Sequence, residues 1–299
     1  MRMFSYVMDV CVRLGMHRAY RGAPLTGTNF AEGGQSSTGS IIRWAKNIFG
    51  AEALDYKTLD DEAAGIEPGS EGLIALETFQ GSRTPVTDPL ARGAIVGLTL
   101  SHSRGHIWRA LMEAVCFGTR ACVDGLEKAG HKCDEIIIAG GTTRSPLWLQ
   151  MHADVVGKPI VLCENIDSPL LGCAILASVG ANIHDSVEDA VNAMVRVSRR
   201  VEPEASAVES YDKIYREVYS KLSSSVKPIT HALAKLRGGS MNNEEKTIVS
   251  PSVLAADWAN MESEIKRCTD AGLHRIHVDV FDGVFLDSPE ALTFGPQVK

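Results

Sequence analysis

The stretch Ile136-Ile137-Ile138-Ala139-Gly140-Gly141-Thr142-Thr143-Arg144-Ser145-Pro146 constrains this chain more than any other. Three β-branched residues in a row read as a fully buried strand. Two glycines follow at once. Ser145 is then a good N-cap and Pro146 suits a first helical turn. The local order is strand, glycine turn, helix. Glycines there let a ligand approach the backbone, and the N–H groups of a helix start favour an anion. A nucleotide phosphate or ribose is the natural guest. The turn by itself is equally compatible with a tight strand-to-helix connection that binds nothing.

At 299 residues the chain has room for two domains of roughly 100–200 residues each. A net charge of −7 argues against nucleic acid or an anionic membrane as the main partner. No apolar run approaches the roughly 18 residues of a membrane span, and the first residues carry no clear signal-peptide pattern. Seven scattered cysteines never form Cys-x-x-Cys, which points to free thiols in a reducing compartment, by default the cytosol, and to no zinc ribbon.

Before the glycine turn, Glu32-Gly33-Gly34-Gln35-Ser36-Ser37-Thr38-Gly39 opens a helical pattern with apolar residues at 41, 44, 45, 48 and 49. It lacks the Lys of a P-loop, so a plain loop is the expectation. Residues 51–70 read as a surface helix and turn. Residues 72–79 and 94–100 read as strands. Gly105 to Ala129 reads as one helix with an apolar stripe from Ile107 to Leu126. His102, His106, Glu113 and Asp124 fit no metal-binding spacing, so a solvated or hydrogen-bonded role is expected.

After the turn, Pro159 to Leu162 is a short buried strand. Ser168-Pro169 repeats the Ser-cap device ahead of a buried, small-residue helix at 170–180. Residues 186–196 and 205–236 read as further helices. The latter carries Val208, Tyr211, Ile214, Tyr215, Val218 and Leu222 on one face.

Taken together, Phe79-Gln80-Gly81-Ser82-Arg83-Thr84-Pro85, then Ala91 to Thr99, then His106-Ile107-Trp108-Arg109-Ala110-Leu111-Met112-Glu113, then the Gly140–Gln150 turn and the small-residue helix, resemble the second domain of the FGGY family of sugar kinases. The Glu32–Gly39 loop resembles its ribulokinase-like branch. The resemblance runs from about residue 15 to 236. It implies an α/β, actin-like ATPase (ribonuclease H-like) domain over residues 1–236, N-terminally incomplete. It also implies transfer of the ATP γ-phosphoryl group, with Mg²⁺, to a hydroxyl of a pentulose such as ribulose or xylulose. Gly140, Gly141 and Thr142 would line the nucleotide, with Ser145 near the adenine. The family's sugar-binding domain and its Asp general base have no counterpart in these 299 residues, where no Asp-x-Gly-Thr loop occurs. The chain alone is therefore expected not to turn over sugar. A separate chain supplying the N-terminal half is a candidate partner, and a non-catalytic nucleotide-binding or interaction module is the alternative.

Residues 237–246 read as a linker. Beyond it come a strand at 247–254, a helix capped by Asp257 and ended by Gly272, and a strand at 275–280. This is a βαβ unit. His277 and Asp279, two apart on a strand, share a face and could hold a divalent metal or form an interior hydrogen-bonded pair. Ser250 to Asp257, His277 to Phe285 and Phe294-Gly295-Pro296 resemble the start of ribulose-phosphate 3-epimerase. Residues 247–299 would then be the first part of a (β/α)₈ barrel, far short of its usual ~250 residues. The resemblance implies Ser252 as a substrate contact. His277 and Asp279 would be ligands of a metal such as Zn²⁺ or Fe²⁺, and Asp279 also a catalytic acid/base. Together the units would belong to a bifunctional kinase–epimerase.

Overall fold

The structure is a computed structural model that describes residues 20–21, 29–31, 33–49, 55–165, 167–238, 250–252, 260–273 and 275–278. The chain divides into two compact units, Met1–Gly238 and Gly239–Lys299.

The first unit opens with the paired strands β1 (Tyr20–Arg21) and β2 (Asn29–Phe30), then helices α1 (Gly39–Ile48) and α2 (Tyr56–Ala64). Strands β3 (Ile74–Leu76) and β4 (Ala94–Val96) form an antiparallel pair with Ile74 opposite Val96. Helix α3 (Arg104–Lys128) follows, then β5 (Ile136–Ile137), α4 (Pro146–Val156) and β6 (Ile160–Cys163). Next come α5 (Ser168–Gly180), α6 (Val187–Met194), β7 (Val197–Val201), α7 (Ala205–Ile214) and α8 (Ser220–Gly238), the last two joined by a π-helical stretch, Tyr215–Tyr219. A three-stranded sheet has the order β5-β6-β7, with β5 parallel and β7 antiparallel to β6.

Helix α3 is the axis of the core. The expected stripe understates its burial, because every residue from Trp108 to Gly118 is buried. A helix buried on all sides needs neighbours on all sides, and α1, α2, β3 and α4 supply them. Small residues let them come close. A Cβ at Gly118 would stand 2.7 Å from Glu77 Oε1, and one at Gly105 would stand 2.9 Å from the Glu62 carbonyl oxygen.

At the centre, Arg109 Nε donates to Glu113 Oε1 at 2.9 Å, one helical turn on. Arg109 also donates to the Ala63 carbonyl and to Tyr211 Oη, and Tyr211 donates in turn to Glu113 Oε1. Glu113 further accepts from the Gly69 N–H and from Ser70 Oγ. Those two residues begin a turn, Gly69–Gly72, in which all four φ angles are positive, including those of Ser70 (50°) and Glu71 (54°). Side chains other than glycine pay roughly 1–2 kcal/mol each for that conformation, and the bonds to Glu113 hold it. Residues 51–70 are thus not simply a surface segment: Leu59, Ala63 and Ser70 are fully buried.

The π-helical stretch changes which residues of 205–236 face inward. Tyr211, Tyr215 and Tyr219 are spaced by four and gather around Phe117, with ring centroids 5.9, 6.0 and 4.8 Å away. Tyr219 is buried in place of Val218, which is 45 % exposed. The wider turn advances the chain by an extra residue, which straight α-helical spacing does not anticipate.

Three further expectations are corrected. Strand β5 is not fully buried. It pairs only with β6 among the described residues, and Ile137 at this sheet edge is 42 % exposed. Helix α5 is not a buried helix: only Ile175 and Ser178 are buried, and Leu170 and Leu176 lie open, because α6 is its principal described neighbour. Ser168 is the first helical residue of α5 rather than its cap. Asp167 takes the cap position and makes no side-chain capping bond. Strand β7 was not anticipated, since four of its five residues are exposed and give no apolar signal.

In the second unit, α9 (Met261–Asp270) is preceded by Asn260 at its cap position, and Gly272 follows with φ +80°. Ser252 and His277 form a parallel bridge, in which the His277 N–H donates to the Pro251 carbonyl at 2.8 Å. Asp257, Asp279 and most of both expected strands lie outside the described residues.

Replacing Arg109 by Leu leaves Glu113 buried without its cation and should cost about 3–5 kcal/mol of stability, while Leu at both positions should cost less. Urea unfolding of the two variants measures this. A single variant as stable as the parent would show that the pair does not hold the core.

Candidate functional site

Strand β5 hands its backbone pairing on through the Ile138 N–H, which donates to the Val161 carbonyl. The chain then turns at Gly140, whose φ of 83° and ψ of −157° form a conformation essentially reserved for glycine. Gly141–Arg144 make a single 3₁₀ turn, closed by Thr143 Oγ1 donating to the Gly140 carbonyl at 2.6 Å. Helix α4 begins at Pro146 with Ser145 as its N-cap, as the sequence predicts. Ser145 Oγ accepts from the Trp148 N–H at 3.1 Å.

Gly140 and Gly141 are exposed, and a Cβ built on either would meet nothing within 4 Å. The turn is therefore an open ledge of bare backbone. The start of α4 is less open. Pro146 brings no N–H and the Trp148 N–H is already bonded. The ledge suits the flat face of a base or ribose better than the helix start suits a phosphate.

The Ser145 hydroxyl is also committed as a donor. It gives its hydrogen to Asp60 Oδ2 on α2, at 2.6 Å. The other carboxylate oxygen of Asp60 accepts from the Trp108 indole N–H on α3, at 2.8 Å. Trp148 is fixed in turn through its indole, which donates to the Met112 carbonyl at 3.2 Å. Behind it, His152 is buried with Nδ1 2.8 Å from the Trp148 carbonyl oxygen, so this nitrogen carries the hydrogen. Burial holds the His152 imidazole down to about 4. Trp108 lies in the His106–Glu113 stretch that carries the resemblance, but Asp60 did not stand out in the sequence. Asp60 lies in the acidic run Asp60-Asp61-Glu62, and only its neighbour Leu59 hinted that this helix has a buried side.

The other polar features stand apart from this turn. The Gly33–Thr38 loop is tied down: the Gly34 N–H donates to Thr84 Oγ1, Gln35 Nε2 to the Val115 carbonyl and Thr119 Oγ1, and Ser37 Oγ to Gln80 Oε1. His102 and His106 each accept a backbone N–H at Nδ1, from Thr99 and Ser103. Glu113 belongs to the core network. No group of three His, Cys, Asp or Glu side chains able to hold a metal occurs among the described residues. In the second unit Ser252 and His277 are brought together across the parallel bridge, and Asp279 lies outside the described residues.

A strand, a bare glycine ledge and a capped helix thus follow one another in one α/β unit. Residues 14–181 match the C-terminal domain model of the FGGY family of carbohydrate kinases, and residues 248–299 match the ribulose-phosphate 3 epimerase family. The chain belongs to the FGGY family. An FGGY carbohydrate kinase domain-containing protein of Xenopus laevis is 33 % identical over 230 residues, covering 70 % of this chain and 42 % of that protein. A ribulokinase of Mycolicibacterium smegmatis is 36 % identical over 166 residues, covering 52 % of this chain and 30 % of the relative. The crystal structure of xylulose kinase from Rhodospirillum rubrum superposes with a TM-score of 0.62 at 34 % identity, covering 69 % of this chain and 42 % of that one. The fold is thus that of the FGGY sugar kinases, the actin-like ATPase fold. The chain spans less than half the length of these relatives.

Because His152 is buried uncharged, the folded chain binds fewer protons than the unfolded chain between pH 6.5 and about 4. Its contribution is present above pH 6.5 and is lost as pH falls through about 4, up to ~3 kcal/mol in all. His152→Gln keeps a donor for the Trp148 carbonyl and does not titrate. Urea midpoints from pH 7 to 4.5 should fall more for the parent than for this variant, and parallel curves would remove His152 as a cause.

Proposed function

We propose that the first unit is the nucleotide-side half of an ATP-dependent sugar kinase, and that its acceptor is the hydroxyl of a pentulose such as ribulose or xylulose. The observation that carries this reading is the open Gly140–Gly141 backbone ledge at the head of α4, in a chain of the FGGY family. Gly140, Gly141 and Thr142 would lie along the base and ribose. Ser145 supports them from beneath, since its hydroxyl is already engaged as donor and acceptor. Magnesium would arrive with the nucleotide and neutralise phosphate charge during transfer. The described residues offer the ledge for the nucleoside and no carboxylate cage for the ion.

Transfer also needs a base within hydrogen-bond reach of the attacking hydroxyl. No Asp-x-Gly-Thr loop occurs in the chain. In this reading the unit binds nucleotide by itself and works as a kinase together with a sugar-binding half that carries the base. The second unit would be the opening of a ribulose-phosphate 3-epimerase barrel. Ser252 would be its substrate contact, and His277 and Asp279 its ligands for a divalent metal such as Zn²⁺ or Fe²⁺. The parallel bridge between Ser252 and His277 supports that topology. Ribulose is favoured as the sugar because its phosphate would be the substrate of such an epimerase. The free thiols of Cys116 and Cys122, held protonated by burial, suit the cytosol. Among the described residues no helix is long and apolar enough to cross a membrane.

Titration calorimetry of the full chain with Mg·ATP tests the reading. The parent should bind, and Gly141→Asp, which sets a carboxylate on the ledge, should bind at least about tenfold more weakly. Equal binding by the two would take the nucleotide off this turn.

A further inference from the structure

The geometry points to Asp60 as a positioning residue that sets the shape of the Gly140–Ser145 turn from 85 residues away, an inference that rests on the nucleotide reading of that turn. A serine hydroxyl has one hydrogen to give. Ser145 gives it to Asp60 Oδ2 at 2.6 Å while accepting the Trp148 N–H at 3.1 Å. The carboxylate therefore selects the rotamer in which the oxygen caps α4. It strengthens that oxygen as an acceptor, because bonds to an ionised group are short and strong. Asp60 Oδ1 is itself held by the indole of Trp108, which is 1 % exposed and belongs to the axial helix α3. The ledge is thus referenced through one side chain to the buried core helix of the unit.

Asp60 is not what docks α2. Leu59 and Ala63 are fully buried, Arg109 donates to the Ala63 carbonyl, and Glu62 pairs with Arg104. These contacts persist when Asp60 is truncated. Its loss frees the Ser145 hydroxyl and loosens the turn while leaving the helix in place. Asparagine at this position keeps one acceptor for two donors and acts as a partial substitute.

Amide hydrogen exchange and Mg·ATP calorimetry on the full chain test this with Asp60→Ala, Asp60→Asn and, as a control for general destabilisation, Leu59→Ala. In Asp60→Ala, exchange of the Thr142–Trp148 amides should rise by about tenfold over the rise in the rest of the unit. Leu59→Ala should raise exchange without favouring the turn. The Mg·ATP dissociation constant should rise about tenfold in Asp60→Ala and less in Asp60→Asn. An exchange pattern in Asp60→Ala that matches the control overturns the inference, as does an unchanged dissociation constant. If the parent itself fails to bind Mg·ATP, the nucleotide reading falls, and the exchange data still decide whether Asp60 sets the turn.

Discussion

The Arg109–Glu113 pair is the interaction on which the first unit depends. Two charges are buried side by side on one helix, and every other hydrogen-bonding group of the two side chains is drawn into keeping them there. Tyr211 lies between them, Ala63 accepts from the guanidinium, and Gly69 and Ser70 donate to the carboxylate. An unpaired charge in that position would be prohibitive. The pair therefore obliges α2, the left-handed turn and α7 to converge on α3. Much of the tertiary arrangement follows from meeting the needs of two side chains four residues apart.

That convergence prepares the ledge. Helix α2, held against α3 by its own apolar face, presents Asp60 where Trp108 and Ser145 can both reach it. Helix α4 is fixed at the same time by the Trp148 indole on the α3 backbone. Two glycines supply a surface with no side chains, and a network of named donors and acceptors keeps it from collapsing. The ledge is thus bare backbone held by fixed neighbours, which is the arrangement the proposed nucleotide surface would require.

Membership in the FGGY family ties the first unit to the carbohydrate kinases, and residues 248–299 match the ribulose-phosphate 3 epimerase family. In the first unit, α5 shows an open, uncharged surface and β5 a sheet edge paired on one side among the described residues. Both features are at odds with a sequence that reads as buried there.

The parts legible in the sequence were the local ones. The cap bond from Ser145 to Trp148 spans three residues, the glycines mark the turn, and the α3 helix announces itself over 25 residues. Each is fixed by residues close together along the chain. Other features were decided only by the tertiary structure. The inward swing of Tyr219 came from a π-helical stretch, β7 had no apolar pattern, α5 was bare where its composition reads as core, and Asp60 lay hidden in an acidic run. The physical reason is the same in each case. A side chain's burial and its hydrogen-bond partners depend on what the fold brings to it through space, and for Ser145 that partner is 85 residues distant.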